Sequence, residues 1–186
     1  MKSFAESDGR QKAPTLDLLD LRILHLLVKD ARRSTRALAR EVGMSPPTVA
    51  ERISRLERAG VIRGYTANID PSALRAPLVV HIGAVAVQGV DQRDVVRQLR
   101  ELVEVEDALI VTGRQDMIIR LRLRDTEHLR ECLFEHIWSI EGLHRTETYI
   151  SLDEMEPKNF LAGLTAAMLN ETAIDGIEAG GEEEKR

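Results

Sequence analysis

Five residues, Gly43-Met44-Ser45-Pro46-Pro47, restrict the fold of this chain more than any other stretch. A glycine at the end of a helical pattern takes the left-handed conformation that closes the helix. A serine before proline does the opposite: its hydroxyl accepts an orphan backbone N–H, and a proline at the first helical position has no N–H to leave unpaired. The run therefore predicts one helix ending and another starting within a single turn. The helix before it spans about Thr35 to Val42 with Ser34 as its cap, and the one after it runs from Pro46 to about Ala59. An earlier helix, Asp17 to Lys29, carries Leu21, Leu24, Leu27 and Val28 at helical spacing behind an acidic first turn with Asp17 and Asp20. Two short helices joined by a glycine-containing turn make a helix-turn-helix. Gly60, Gly64 and Tyr65 then lead into an extended segment, Ile62 to Ile69, a winged-type exit that Asp70-Pro71 closes.

Drawn at about 100° per residue, the third helix places Val49, Ile53 and Leu56 on one side and Pro47, Glu51, Ser54, Arg55 and Arg58 on the other. A DNA-recognition helix needs this division, because its inner face must hold it on the preceding helices while its outer face enters the major groove. Arg55 suits guanine or phosphate, Ser54 and Thr48 can donate to either, and the methyl groups of Thr48 and Ala50 fit thymine. Arg32, Arg33 and Arg36, before and at the start of the second helix, are placed for phosphate contacts. Arg52 lies on the flank, available to DNA or to an ion pair with an acid of the first helix. With Ser45, these residues form the candidate DNA interface.

Charge distribution supports that reading. Between Ala31 and Gly64 there are eight arginines against three acids, a surplus of five positive charges, in a chain whose formal net charge is −5; the remainder therefore carries −10. A basic module fused to an acidic body is the asymmetry expected when one part meets phosphate.

The second half has a different rhythm. Leu78 to Val87 reads as a strand, Gln92 to Val103 as a helix capped by Asp91, and Asp107 to Thr112 and Met117 to Arg124 as strands joined by the short turn Gly113-Arg114-Gln115-Asp116. A helix from about Glu127 to Ser139 and a strand from Leu143 to Leu152 complete the order strand, helix, strand, strand, helix, strand, the ferredoxin-like unit. The fold class is thus α+β, a three-helix helix-turn-helix joined to a ferredoxin-like βαββαβ domain. Domains are expected at 15–72 and 73–157, flanked by a structureless tail at 1–14 and by 158–186, a helix over Asn159 to Leu169 followed by an acidic, Gly- and Glu-rich tail without structure.

Several functional classes lack support. The first residues have no apolar signal-peptide core, and the longest apolar stretch, Ala76 to Val87, is too short to span a bilayer, so a cytoplasmic location and no membrane are expected. Cys132 is the single cysteine, on the apolar side of a helix with Leu129 and Leu133. His25, His81, His128, His136 and His144 show no metal-ligand spacing, so neither a metal nor a cofactor is expected. Arg120, Arg122 and Arg124 share a strand face and suit either acids of a neighbouring subunit or solvent.

The chain resembles the Lrp/AsnC, or feast/famine, family of transcription regulators. The likeness rests on Leu16-Asp17 with Asp20 and Ile23-Leu24; on Arg33-Ser34, Leu38-Ala39, Val42-Gly43 and Ser45; and on Thr48-Val49, Arg52-Ile53, Arg55-Leu56-Glu57, Gly60-Val61-Ile62, Gly64-Tyr65 and Asp70-Pro71. It implies a sequence-specific DNA-binding regulator, not an enzyme, whose C-terminal domain binds an amino acid or similar effector and pairs sheet to sheet into homodimers that can assemble into octamers. The residues support the pairing independently, since Leu78 to Val87 is apolar on both strand faces and a helix layer covers only one. A dimer would set two recognition helices about one DNA turn apart, on a roughly palindromic site.

The resemblance also places the effector near Thr112-Gly113-Arg114-Gln115-Asp116. Asp116 suits an α-ammonium group and Arg114 a carboxylate, while Gln115 stands where the family usually has an aromatic residue. The same residues equally fit a plain hairpin turn with a solvated aspartate. Two alternatives share the fold: an enzyme like the siroheme decarboxylases that resemble this family, which requires histidines gathered at one cleft, and a DNA-bridging architectural protein.

Overall fold

A computed structural model describes residues 15–155 and 158–183, with side chains described as far as Thr172. The N-terminal tail expected over residues 1–14 lies outside the described residues. The chain divides into two units: one combines the segment ending at Thr66 with the segment after Met155, and the other is Ala67–Met155. The turn at Pro71–Leu74 thus goes with the second unit, and the C-terminal helix with the first.

In the first unit, α1 (Leu18–Lys29), α2 (Thr35–Val42) and α3 (Pro46–Arg58) begin where the capping residues stand. Asp17 accepts the backbone N–H of Asp20 at 2.8 Å, and the Asp20 carboxylate accepts that of Asp17 at 3.2 Å, a reciprocal capping box. Ser34 and Ser45 cap Ala37 and Thr48 in the same way, and Gly43 takes φ +70° between the two helices. A cap contributes about 1 kcal/mol, whereas burying one Leu or Ile contributes roughly 1.5–3 kcal/mol. Caps therefore set where these helices start, and the core of Ile23, Leu27, Leu38, Ala39, Val42 and Val49 keeps them formed.

A further helix, α6 (Phe160–Glu183), belongs to this unit and packs on α1. Its start is locked twice: Asn159 accepts the Ala162 N–H at 3.0 Å and donates its amide to the Val28 carbonyl at 3.0 Å. Farther along, buried Thr165 bonds His25 Nδ1 at 2.9 Å. The helix continues through the segment expected to lack structure, because once a helix is nucleated each added residue closes another backbone bond. The segment 63–70 forms neither helix nor strand, so the exit after α3 finds no ladder partner within the chain.

The second unit is a four-stranded antiparallel sheet in the order β2-β3-β1-β4, built from β1 (Leu78–Ala86), β2 (Val105–Ile110), β3 (Met117–Leu123) and β4 (Leu143–Ile150). With α4 (Gln92–Leu99) and α5 (Thr126–Glu131) between strands, this is the ferredoxin-like order expected. Val80, Ile82 and Ala84 of β1 and Met117, Ile119, Leu121 and Leu123 of β3 point to the helices, where Val95, Leu99, Leu129, Cys132 and Ile137 complete the core. Two elements differ from expectation. Strand β2 sits two residues earlier, where a register shift between Val105 and Asp107 keeps Ala108 opposite Ile119. The helix expected over Glu127 to Ser139 is α-helical only to Glu131, then widens to a π turn and tightens to a 3₁₀ turn, placing both Cys132 and Ile137 inward.

Candidate nucleic-acid interface

Helix α3 is amphipathic as its sequence predicts. Val49 and Leu56 are buried and Ile53 half-buried, whereas Pro47, Glu51, Ser54, Arg55 and Arg58 are exposed. Its capping end is open: the Ser45 and Thr48 hydroxyls lie 2.8 Å apart at the surface. At the far end Gly60 takes φ +69°, Val61 and Ile62 both donate to the Leu56 carbonyl, and the Tyr65 hydroxyl donates to Glu57 at 3.0 Å, which folds the exit segment back along the helix.

The arginines fall into two groups. Arg52 pairs with Asp17 at 2.5 Å and Asp20 at 2.9 Å, the ion pair with the first helix that its flank position suggested. Arg55 also reaches Asp20, at 2.5 Å, so one side of its guanidinium is held while the side chain remains 53% exposed. Asp20 is 1% exposed and meets all of these partners with a single carboxylate. Arg33 is held by Glu41 and, at 3.9 Å, by Asp30. Arg32, Arg36 and Arg40, by contrast, are exposed and have no ion pair among the described residues, as is also true of Arg63. Arg36 and Arg40 are four residues apart and share one face of α2.

In the second unit the loop between β2 and β3 is built into the sheet. Asp116 donates its N–H to the Ala84 carbonyl and accepts the Ala86 N–H on Oδ2, each at 2.9 Å, so one of its oxygens is already committed to β1. Gly113 has φ +131° and open space where a side chain would stand. Thr112 and Arg114 are exposed; Arg114 approaches Glu147 at 3.5 Å. Gln115 lies across Gly83, where a Cβ would come within 3.0 Å of its side chain, and donates to Glu147 at 2.9 Å, while its own Oε1 is buried without a hydrogen bond. Glu147 also receives the Tyr149 hydroxyl at 2.7 Å and Arg145, and these donors hold its carboxyl below the usual range. On the same sheet face Arg120 and Arg122 pair with Glu106 and Glu154 of this chain. Among the described residues no group of three or more His, Cys, Asp or Glu side chains is placed to hold a metal ion, and no helix is long and apolar enough to cross a membrane.

Comparison with known proteins divides the chain in the same way. Residues 16–57 match the AsnC-type helix-turn-helix domain, and residues 78–159 match the Lrp/AsnC ligand binding domain. The leucine-responsive regulatory protein of Serratia marcescens is 35% identical over 159 residues, covering 83% of this chain and 96% of the relative. This chain belongs to the Lrp/AsnC family. The leucine-responsive regulatory protein of Escherichia coli is 35% identical over 150 residues, 78% of this chain and 90% of that one. Among solved structures, E. coli AsnC superposes with a TM-score of 0.73 at 29% identity, covering 78% of this chain and 99% of that one. A regulator from Neisseria meningitidis solved with L-methionine superposes at 0.72 with 25% identity, covering 77% and 94%.

As a member of the Lrp/AsnC family, the protein is a transcription regulator with a DNA-binding helix-turn-helix. Three features of this Lrp/AsnC chain escape sequence reading. Arg40 extends the unpaired row on α2, and its spacing from Arg36 was the available signal. Asp20 ties α3 to α1 across more than thirty residues. Glu147 gathers the loop side chains from a different strand, for which no local pattern exists.

Proposed function

We propose that this protein reads double-stranded DNA as a homodimer on a roughly palindromic site, with octamers as the higher assembly, in the cytoplasm, and that it has no enzymatic role. The observation that carries the DNA part is the separation of its arginines. Arg52 and Arg55 brace α3 on α1, while Arg32, Arg36 and Arg40 stand free beside it for phosphate. Ser45, Pro47, Thr48, Glu51, Ser54 and Arg58 form the surface presented to the major groove, with Arg33 at its margin and the free side of Arg55 within it. Dimerisation has support in the uncovered sheet face, where Leu109 and Ile118 face each other across β2 and β3 and remain exposed beside Tyr149.

Residues 15–72 serve as reading head and linker, and 73–157 as the effector and assembly domain. The effector is an amino acid, carried over from the methionine-bound Neisseria relative and the leucine-responsive regulators. Its contacts are Thr112, Gly113, Arg114, Gln115 and Asp116, whose remaining carboxylate oxygen suits an ammonium group.

Binding to the DNA upstream of the protein's own gene, measured across a salt series, tests the main reading. Arg36→Ala with Arg40→Ala should weaken binding and reduce the salt slope by about 2, one per lost phosphate contact. Ser54→Ala should weaken specific binding alone. Unchanged affinity in all variants, or no preference over random DNA, refutes the interface. Amino acids added singly should raise thermal stability, and Asp116→Ala should abolish that rise.

A further inference from the structure

Glu51 is the anomaly on the outward face of α3. It shares a ridge with Pro47, Ser54 and Arg58, is exposed, and has no ion pair or hydrogen bond among the described residues. A free carboxylate on a surface that meets phosphate opposes binding, and the usual remedy is at hand: Arg55 stands four residues later, the spacing at which Glu and Arg pair on a helix. The structure declines it. Arg55 reaches across to Asp20, Arg52 to Asp17 and Asp20, and Arg58 Nε donates to the Ser54 carbonyl of its own helix. Every arginine of α3 is thus engaged elsewhere, and Glu51 keeps its charge and both oxygens.

We propose that Glu51 is a specificity-determining residue that accepts a hydrogen bond from the exocyclic amino group of cytosine in the major groove. The inference rests on α3 being the element that enters that groove. Glu51 lies six residues after the capping Ser45, about 9 Å along the axis at the helical rise, in the N-terminal half that contacts base edges in such modules. Carboxylates accept from cytosine N4 and have no suitable donor on guanine's major-groove edge, which offers only acceptors. Where no cytosine is present, the same charge faces backbone phosphate and base acceptors unrelieved, so it weakens sequence-independent binding as well as favouring the right sequence.

The test is enrichment of bound sequences from a random duplex pool by the full-length protein, with Glu51→Ala and Glu51→Gln beside it, and affinity for an unselected duplex across salt. The wild type should enrich a C·G pair at one position of each half-site. Glu51→Ala should lose that preference by roughly tenfold while keeping the others. Glu51→Gln should move it toward adenine, whose N6 and N7 a glutamine contacts in bidentate fashion. Both variants should bind the unselected duplex more tightly than wild type. Identical base preferences in all three proteins overturn the role of Glu51. Enrichment of no sequence by the wild type overturns the reading of α3 itself, and Glu51 with it. The near-isosteric glutamine keeps the test valid if the alanine variant fails to fold.

Discussion

Arg55 Nη2 stands 2.5 Å from Oδ2 of Asp20, a carboxylate at 1% exposure on a different helix. The same carboxylate takes Arg52 on its other oxygen and the Asp17 N–H of the capping box, so a buried charge is fully satisfied. Asp20→Ala removes a cap contact and two ion pairs. Both arginines reach solvent, so the cost falls below that of breaking a fully buried pair, at about 2 kcal/mol. Urea unfolding should show that loss, and DNA binding should weaken further as α3 loses its brace; an unchanged unfolding midpoint would contradict this account.

Asp17 makes the first unit sensitive to acid. Burial pushes its pKa up, but the Asp20 N–H and the Arg52 guanidinium outweigh burial and hold it below the ordinary value. The unfolded chain therefore takes up this proton first, near pH 4 or roughly so. The stabilisation is complete above that pH and disappears as pH falls through the lower folded value. Replacing Asp17 with Asn should flatten the fall in melting temperature between about pH 5 and pH 3; a slope equal to wild type would show that Asp17 does not contribute.

Asn159 joins two helix ends 131 residues apart in the chain, supplying an acceptor to the Ala162 N–H and a donor to the Val28 carbonyl. Both backbone groups lie at helix termini, where no intrahelical partner exists. Asn159→Ala should cost about 1–2 kcal/mol. Ending the chain after Met155 removes α6 and the His25–Thr165 bond as well, and should lower the melting temperature by more than the point variant does. Equal stability of the shortened and full chains would mean α6 contributes nothing to the reading head.

Gly142 is constrained twice. Its φ of +99° disfavours any side chain, and a Cβ would stand 2.9 Å from both Val90 Cγ1 and Val95 Cγ2. Strain of this kind costs roughly 1–3 kcal/mol, and overpacking adds a comparable amount. Gly89 has a similar φ of +90° but open space around it, so Gly89→Ala should carry only the first cost. Thermal unfolding of the two variants separates backbone strain from the clash, and equal losses would remove the packing contribution.

Local chemistry determined much of this protein without help from the fold. The serine caps, Gly43 and Pro46 act within one turn of helix, and alternation in Met117–Leu123 acts within one strand, so the helix-turn-helix and the order of the second unit are legible in the sequence alone. Position of the DNA interface was equally legible, since the outward side of α3 follows from helical period. What each side chain does there was not. Arg55 and Glu51 sit at a spacing that suits a pair, yet Arg55 goes to Asp20 because a buried carboxylate must be satisfied and an exposed one need not be. The tertiary structure likewise decided that Gln115 answers to Glu147 and that the end of the chain returns to α1 through Asn159. Those contacts join residues far apart in sequence, and no periodicity or cap encodes which distant partner a polar group will find once the backbone has closed.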